Sequence, residues 1–283
     1  MPRPVKGYIN KILPHSFVDG PGNRSVIFLQ GCPFHCRYCH NPYTINFCNH
    51  CGSCLEVCPA GAIILENQRI EWLAEQCTDC DACIEVCPNF SSPKVHVLTP
   101  EDTWNRIKPN LPFISGVTFT GGEPVFQDKF LYESLKLIKQ ESELTTCIET
   151  NGFFSAGIFD HIIPLVDFVM VDFKAFHPEI HNHLTGKHNL NTKHNIKLLW
   201  ETSKLFMVRT TIVPGFTDTH DEIRSISRFL VDIDPNIHLR LLRFRPHGVK
   251  DEARNWKSPG DKLMDQLCET ARSTGLTHVD RSL

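Results

Sequence analysis

The sequence predicts an α/β chain: a mostly parallel sheet built from repeated strand–helix units, with a small cysteine-rich module set into it. Three observations predict this. From residue 98 onward, short apolar runs alternate with stretches of helical periodicity, the pattern of βαβ units. An earlier apolar run at 25–30 leads straight into Cys32, Cys36 and Cys39. Residues 43–97 break the alternation and carry eight cysteines in two runs of one spacing.

Composition narrows the class. A chain of 283 residues suits one large domain or two modest ones, and 41% hydrophobic residues suffice for a buried core. A formal net charge of −3 gives no case for a nucleic-acid or membrane surface. No apolar run reaches the ~18 residues of a membrane helix, and the N-terminus lacks a signal-peptide pattern. Thirteen cysteines in a chain of this kind point to metal in a reducing, cytoplasmic compartment rather than to disulfides.

Residues 1–24 read as a lead-in segment. Its Gly20-Pro21-Gly22 is turn chemistry, and Asp19 can bond the turn amides. The run Ser25–Gln30 is the first strand, and Gly31 turns the chain. Cys32-x3-Cys36-x2-Cys39 then presents three thiolates with no fourth close by. A [4Fe–4S] cube takes four soft ligands, so three would leave one iron open for substrate. A zinc knuckle is the plain alternative.

In residues 43–97, Cys48-x2-Cys51-x2-Cys54-x3-Cys58-Pro59 and Cys77-x2-Cys80-x2-Cys83-x3-Cys87-Pro88 repeat the bacterial ferredoxin spacing. In that pattern the fourth cysteine ligates the other cluster. One cluster then takes Cys48, Cys51, Cys54 and Cys87, the other Cys77, Cys80, Cys83 and Cys58. Two clusters would largely hold together so short a segment.

Thr99-Pro100-Glu101-Asp102 reads as a helix start, with a cap, a proline in the first turn and acidic residues after it. Strands follow at 116–120, 146–149, 168–172, 207–213 and 238–244, with helices such as 130–138 between them. With 25–30 this makes six units, too few for a closed eight-fold barrel. In parallel α/β folds sites form at the carboxyl ends of strands. There lie Gly121-Gly122-Glu123, then Glu149-Thr150-Asn151, then Asp172-Phe173-Lys174, and Arg209 on the fifth strand. Strand alternation puts Met170, Asp172 and Lys174 on one side. A buried arginine needs ion partners. Turns and salt-bridged strand ends are the plain alternatives for the first three. The histidine-rich tract 176–183 reads as a solvated loop opening a helix, and Cys147 and Cys268 as small buried hydrophobes.

The run Val18-Asp19-Gly20-Pro21-Gly22-Asn23-Arg24, with Gln30-Gly31-Cys32 and Tyr38-Cys39-His40-Asn41-Pro42, resembles the glycyl-radical-enzyme activases of the radical S-adenosylmethionine (SAM) enzymes, closest to the YjjW type. The resemblance covers nearly the whole chain. It implies a partial (β/α)6 radical SAM barrel formed by 1–42 and 98–283, with 43–97 as a ferredoxin-like two-cluster insert. It implies SAM on the open cluster of Cys32, Cys36 and Cys39, with Tyr38 at the adenine and Glu123 at the amino group. It places His40, Asn151, Phe173, Asp172, Lys174 and Arg209 around SAM, with Arg245 or His247 completing the set. Glu149, Thr150, Met170 and Asp172 match a monovalent cation site, although many members have Asp at the position of Glu149. Asp19, His40 and Asn41 would face the partner peptide. The implied reaction is reductive cleavage of SAM to a 5′-deoxyadenosyl radical, which takes a hydrogen from a backbone glycine of a partner enzyme. Flavodoxin or ferredoxin would supply the electron. A radical SAM enzyme for a small molecule, or a ferredoxin-type carrier, are the competing readings.

Overall fold

The computed structural model describes residues 4–282, so the first three residues of the predicted lead-in and residue 283 lie outside it. The chain packs as two compact units, one of Met1–Pro33 and Asn41–Leu144, the other of Phe34–His40 and Thr145–Leu283.

In the first unit, β1 (Gly7–Ser16) pairs antiparallel with β2 (Arg24–Leu29). The segment read as a lead-in thus contains a ten-residue strand, and the sheet is not wholly parallel. Alternation in β1 is uneven because a register shift interrupts its pairing after Ile9, which hides the period in the sequence. The predicted residues 43–97 lie wholly within this unit. They contribute the hairpin β3 (Ile63–Glu66) and β4 (Arg69–Trp72) and the short α1 (Ala82–Glu85). The hairpin turns on Asn67 and Gln68, at φ 49° and 62°, the left-handed pair that a two-residue turn demands. One small cluster of buried residues lies in this segment: Cys54, Ile63, Ile70, Cys83 and Ile84. β5 (His96–Leu98) returns antiparallel to β1.

α2 (Pro100–Ile107) begins as read: Thr99 and Asp102 form a reciprocal capping box with Pro100 in the first turn. β6 (Gly116–Gly121) lies parallel to β2, pairing Val26 with Thr118. Nearly every residue of both strands is buried, as expected of a covered parallel pair. α3 (Asp128–Glu141) buries Phe130, Leu131, Leu135 and Ile138, an i, i+1, i+5, i+8 stripe.

The second unit is parallel throughout. β7 (Thr145–Thr150), β8 (Phe168–Asp172), β9 (Leu205–Ile212), β10 (Leu239–Arg243) and β11 (Val279–Arg281) follow one another in space as in sequence. Between them run α4 (Ala156–Ile162), α5 (Pro178–Thr185), α6 (Leu190–Glu201), α7 (His220–Val231) and α8 (Asp261–Ser273). Register sets Glu149 beside Met170, and Asp172 beside Arg209, so three charged side chains meet at one end of the sheet. Cys147 and Cys268 are fully or nearly buried, as read.

Candidate active site

The carboxyl ends of β7, β8 and β9 carry a compact charged group. Arg209 donates from Nε to Asp172 Oδ1 at 2.7 Å and from Nη1 to Glu149 Oε1 at 2.9 Å. Lys174 Nζ donates to the other Asp172 oxygen at 3.1 Å. The predicted side-by-side placement of Asp172 and Lys174 is thus observed. Burial alone would raise the Asp172 pKa, but Arg209 and Lys174 outweigh it and hold the carboxyl down at about 2. Burial penalises Arg209 too, and the two carboxylates more than restore its charge. A fork spanning two carboxylates is a task for arginine, whose donors are fixed in a plane. Glu149 and Asp172, two of the four residues matched to a monovalent cation site, are therefore already engaged by a guanidinium.

The loop after each strand is pinned. Asn151 Oδ1 accepts from Phe153 N, and Gly152 N donates to Thr150 Oγ1. From α6, Thr192 donates to the Asn151 carbonyl and Asn195 to those of Gly152 and Phe154. Phe173 is buried, and its N–H bonds the Arg209 carbonyl at 2.8 Å.

Residues 34–40 belong to this same unit. His35 and Arg37 donate their N–H groups to the carbonyls of Thr185 and Leu184 at the end of α5. Phe34 packs edge-on to His181, with ring centroids 5.6 Å apart. Cys39 N closes a tight turn on the Cys36 carbonyl at 3.0 Å. Burial pushes the Cys36 thiol up to about 12, even with the Lys174 charge working against it and Cys39 adding to it. Such a thiol stays protonated in water, and a metal that takes the thiolate removes that obstacle. Tyr38 is 5% exposed, its ring 5.9 Å from Lys174 Nζ, in cation–π range. Its buried hydroxyl has no hydrogen-bond partner among the described residues. Partial burial lowers the His40 pKa, opposed by a hydrogen bond with the Arg245 backbone, while Lys174 and His247 lower it further. Arg245 and His247 both lie close enough to act on the His40 ring.

The first unit holds the other predicted groups. Cys32 N donates to the Ile45 carbonyl and Gly31 N to that of Thr44. Gly122 N bonds the Leu29 carbonyl and Glu123 N that of Gly31. A Cβ on Gly122 would sit 2.3 Å from the Gly31 carbonyl oxygen, so only glycine lets these two turns touch. Glu123 is 1% exposed, and its carboxylate accepts from Val125 N at 3.4 Å. Asp19 accepts from Ser16 Oγ, and its carbonyl takes the Thr118 hydroxyl at 2.6 Å. Arg24, fully buried, spends its fork on Thr118 Oγ1 and the carbonyls of Pro21 and Val117. Asn41 Oδ1 accepts from the Tyr43 hydroxyl, and the Asn41 carbonyl from Thr44 N.

In residues 43–97, Cys48, Cys51, Cys54 and Cys87 line one cavity with Cys83, Ser91 and Pro93. The ferredoxin spacing assigns the first four to one cluster and Cys83 to the other, so the cavity does not separate the two sets. Among the described residues, no three His, Cys, Asp or Glu side chains close on a single point as ligands of one ion would. A cubic cluster takes each thiolate on a separate iron, so its ligands enclose a space instead. Cys83 lies near enough to Cys54 for the two to interact electrostatically. Cys77 and Cys80 stand on a loop braced by Lys94, which bonds Asp79 at 3.1 Å and pairs with Asp81 at 2.5 Å.

The model of the radical SAM superfamily matches residues 26–230. The chain belongs to the radical SAM superfamily. It is 31% identical to the choline trimethylamine-lyase activating enzyme of Oleidesulfovibrio alaskensis over 80% of this chain and 78% of that one. It is 30% identical to the isethionate sulfite-lyase activating enzyme of the same organism, over 94% and 93%. The 4-hydroxyphenylacetate decarboxylase activating enzyme of Clostridioides difficile matches at 31% over 80% and 78%. Among solved structures, QueE from Escherichia coli overlays with a TM-score of 0.56 at 15% identity, covering 98% of this chain and 94% of that one. A domain of a pyruvate-formate lyase-activating enzyme from Bacteroides vulgatus overlays at 0.52 and 19%, covering 60% and 99%. Within the radical SAM superfamily the chain groups with the activating enzymes, on the partly barrel-like parallel α/β fold of the superfamily.

One feature beside these residues escaped the sequence reading. The histidine-rich tract opens helix α5 at Pro178, as read, but His181 within it is fully buried rather than solvated. Its Nδ1 meets the Lys187 carbonyl at 2.9 Å. An i, i+3, i+4 count from Ile180 and Leu184 could have placed His181 on the inner face. The segment 244–256, where the resemblance set Arg245 and His247, also packs on the 34–40 turn through Phe244, Val249 and Ala253.

Proposed function

We propose that this chain is a glycyl-radical-enzyme activase that cleaves SAM reductively and takes a hydrogen from a backbone glycine of a partner enzyme. The observation that carries the reading is the Cys36–Cys39 turn under Lys174, beside the Asp172–Arg209–Glu149 network, in a chain about 30% identical to activating enzymes over most of its length. A [4Fe–4S] cluster on Cys32, Cys36 and Cys39, when bound, supplies the electron that splits SAM into methionine and a 5′-deoxyadenosyl radical.

The chain's own residues bind and orient. Lys174 and Arg209 bring fixed positive charge to a carboxylate-bearing ligand, and their own carboxylate partners keep them in place. Glu123 would accept from the ligand's ammonium, at a turn that Gly122 keeps free of side chains. Tyr38 offers an apolar face for adenine, and its bare hydroxyl a polar edge. A monovalent cation beside SAM would have to share Glu149 and Asp172 with Arg209. Glycine suits the target because nothing shields its Cα.

Residues 43–97 are proposed as a two-cluster insert between the halves 1–42 and 98–283 of the catalytic domain. One cluster takes Cys48, Cys51, Cys54 and Cys87, the other Cys58, Cys77, Cys80 and Cys83. It would relay electrons from flavodoxin or ferredoxin. Asp19, His40 and Asn41 would meet the partner's glycine loop. The test is to incubate the anaerobic protein with SAM, dithionite and a glycyl radical enzyme. 5′-Deoxyadenosine and a glycyl radical signal are expected together. SAM cleavage that no glycyl radical enzyme converts to a radical would move the assignment to a small-molecule substrate.

A further inference from the structure

We propose that the segment after β10, residues 244–256, is a clasp that fixes the Tyr38–His40 half of the cysteine turn, with Gly248 as its positioning residue. The proposal rests on reading that turn as the loop of the open cluster.

The first half of the turn is held by α5 through the backbone bonds of His35 and Arg37. The second half is met by the 244–256 segment, residue by residue. Tyr38 shares one apolar core with Phe244, Val249 and Ala253, and Cys36 and Trp256 pack against it. The His40 ring lies 6.2 Å from that of Phe244, which lies 5.9 Å from Trp256. Glu252 accepts from the Arg37 guanidinium. At Gly248 the two backbones come closest: a Cβ there would stand 2.4 Å from the His40 carbonyl oxygen. Gly248 also has φ 78°, so the turn needs glycine both for its conformation and for the approach. The clasp is locked on itself by Arg254 Nε on the Val249 carbonyl at 3.0 Å and Trp256 N on that of Ala253 at 3.2 Å.

The spacing of two cluster thiolates is set by the backbone of this turn. A site of this kind works only when its groups are held within about 0.5 Å of their productive positions. Pushing His40 away from Gly248 would displace Tyr38 and the backbone beside Cys39 by a fraction of an ångström, a shift that cluster binding tolerates and that SAM, held against Tyr38 and His40, does not.

Backbone strain and close approach can be separated. Gly215 has φ 77° and nothing within 4 Å of where a Cβ would lie. Gly215→Ala therefore carries the strain of Gly248→Ala without its collision. Both variants, reconstituted anaerobically with iron and sulfide, are titrated with SAM while the reduced cluster is followed by EPR, and their iron content is measured. We expect iron content as in the unmodified protein for both, SAM affinity within about twofold for Gly215→Ala, and a loss of about tenfold or more for Gly248→Ala. Equal affinities for the two variants would overturn the clasp. If Gly248→Ala does not fold, Val249→Ala is read the same way: weakened SAM binding supports the clasp and unchanged binding overturns it. An unmodified protein whose cluster signal does not respond to SAM would instead defeat the reading of the turn as a cluster loop.

Discussion

Arg209 is the residue on which the charged group turns. Its side chain is 12% exposed and that of Glu149 10%, so removing the guanidinium takes from the buried Glu149 its cationic partner, while Asp172 keeps Lys174. Breaking a buried pair by deleting one partner costs about 3–5 kcal/mol. Arg209→Met should lower stability to denaturant by that amount and weaken SAM binding as well. Arg209→Lys, unable to span both acids, should fall between. His181 gives a second test at this scale. Burial holds its pKa down at about 4, below the usual histidine value. The unfolded chain then binds a proton that the folded chain refuses, so His181 costs stability increasingly as pH falls from about 6.5 toward 4. Between pH 7.5 and 5.5 the protein should lose stability faster than His181→Gln, read from the thermal midpoints of both. Parallel curves would remove His181 from the acid sensitivity. Strand alternation was enough to foresee the meeting of Asp172 with Lys174, because the period is local. The burial of His181 shows only when the helical count is carried past the tract to Leu184, because the histidines of Phe176–His183 by themselves read as polar.

At the scale of elements, the strands between 116 and 244 were legible because each is a buried apolar run flanked by turn residues. The cap of α2 was legible because Thr99, Pro100 and Asp102 act within one turn. β1 was not, since its register shift breaks the period, nor was the β3–β4 hairpin, whose Asn67-Gln68 turn lacks the usual glycine. The two cysteine runs repeat one spacing in the sequence, but their assignment to clusters is a matter for measurement, since Cys48, Cys51, Cys54 and Cys87 line their cavity together with Cys83. With three clusters, reconstituted protein should hold roughly 12 iron atoms per chain, four per cluster. Iron near four, or zinc in its place, would exclude the two-cluster insert. Cys80→Ala should lower iron by up to about four atoms, leave SAM binding in place and slow reduction by a protein donor.

For the whole molecule the decisive matter is coupling between SAM cleavage and the partner's glycine. Asp19 sits at the β1–β2 turn, tied to Ser16 through its side chain and to Thr118 through its carbonyl. If it also meets the partner peptide, Asp19→Ala should keep uncoupled SAM cleavage and lose glycyl radical formation by up to about tenfold, the worth of one hydrogen bond. Equal loss of both products would leave Asp19 as a turn residue. Nearby, Phe17 and Val18 stand 75% and 74% exposed, an apolar pair beside that same turn.

The most direct test of the activase reading follows the hydrogen itself. The partner glycyl radical enzyme is produced with Cα-deuterated glycine, and the anaerobic protein is added with SAM and reductant. The mass of the 5′-deoxyadenosine is then measured alongside the EPR signal. Direct abstraction predicts 5′-deoxyadenosine carrying one deuterium for each glycyl radical formed. Unlabelled 5′-deoxyadenosine, or labelled product without a glycyl radical, would contradict it.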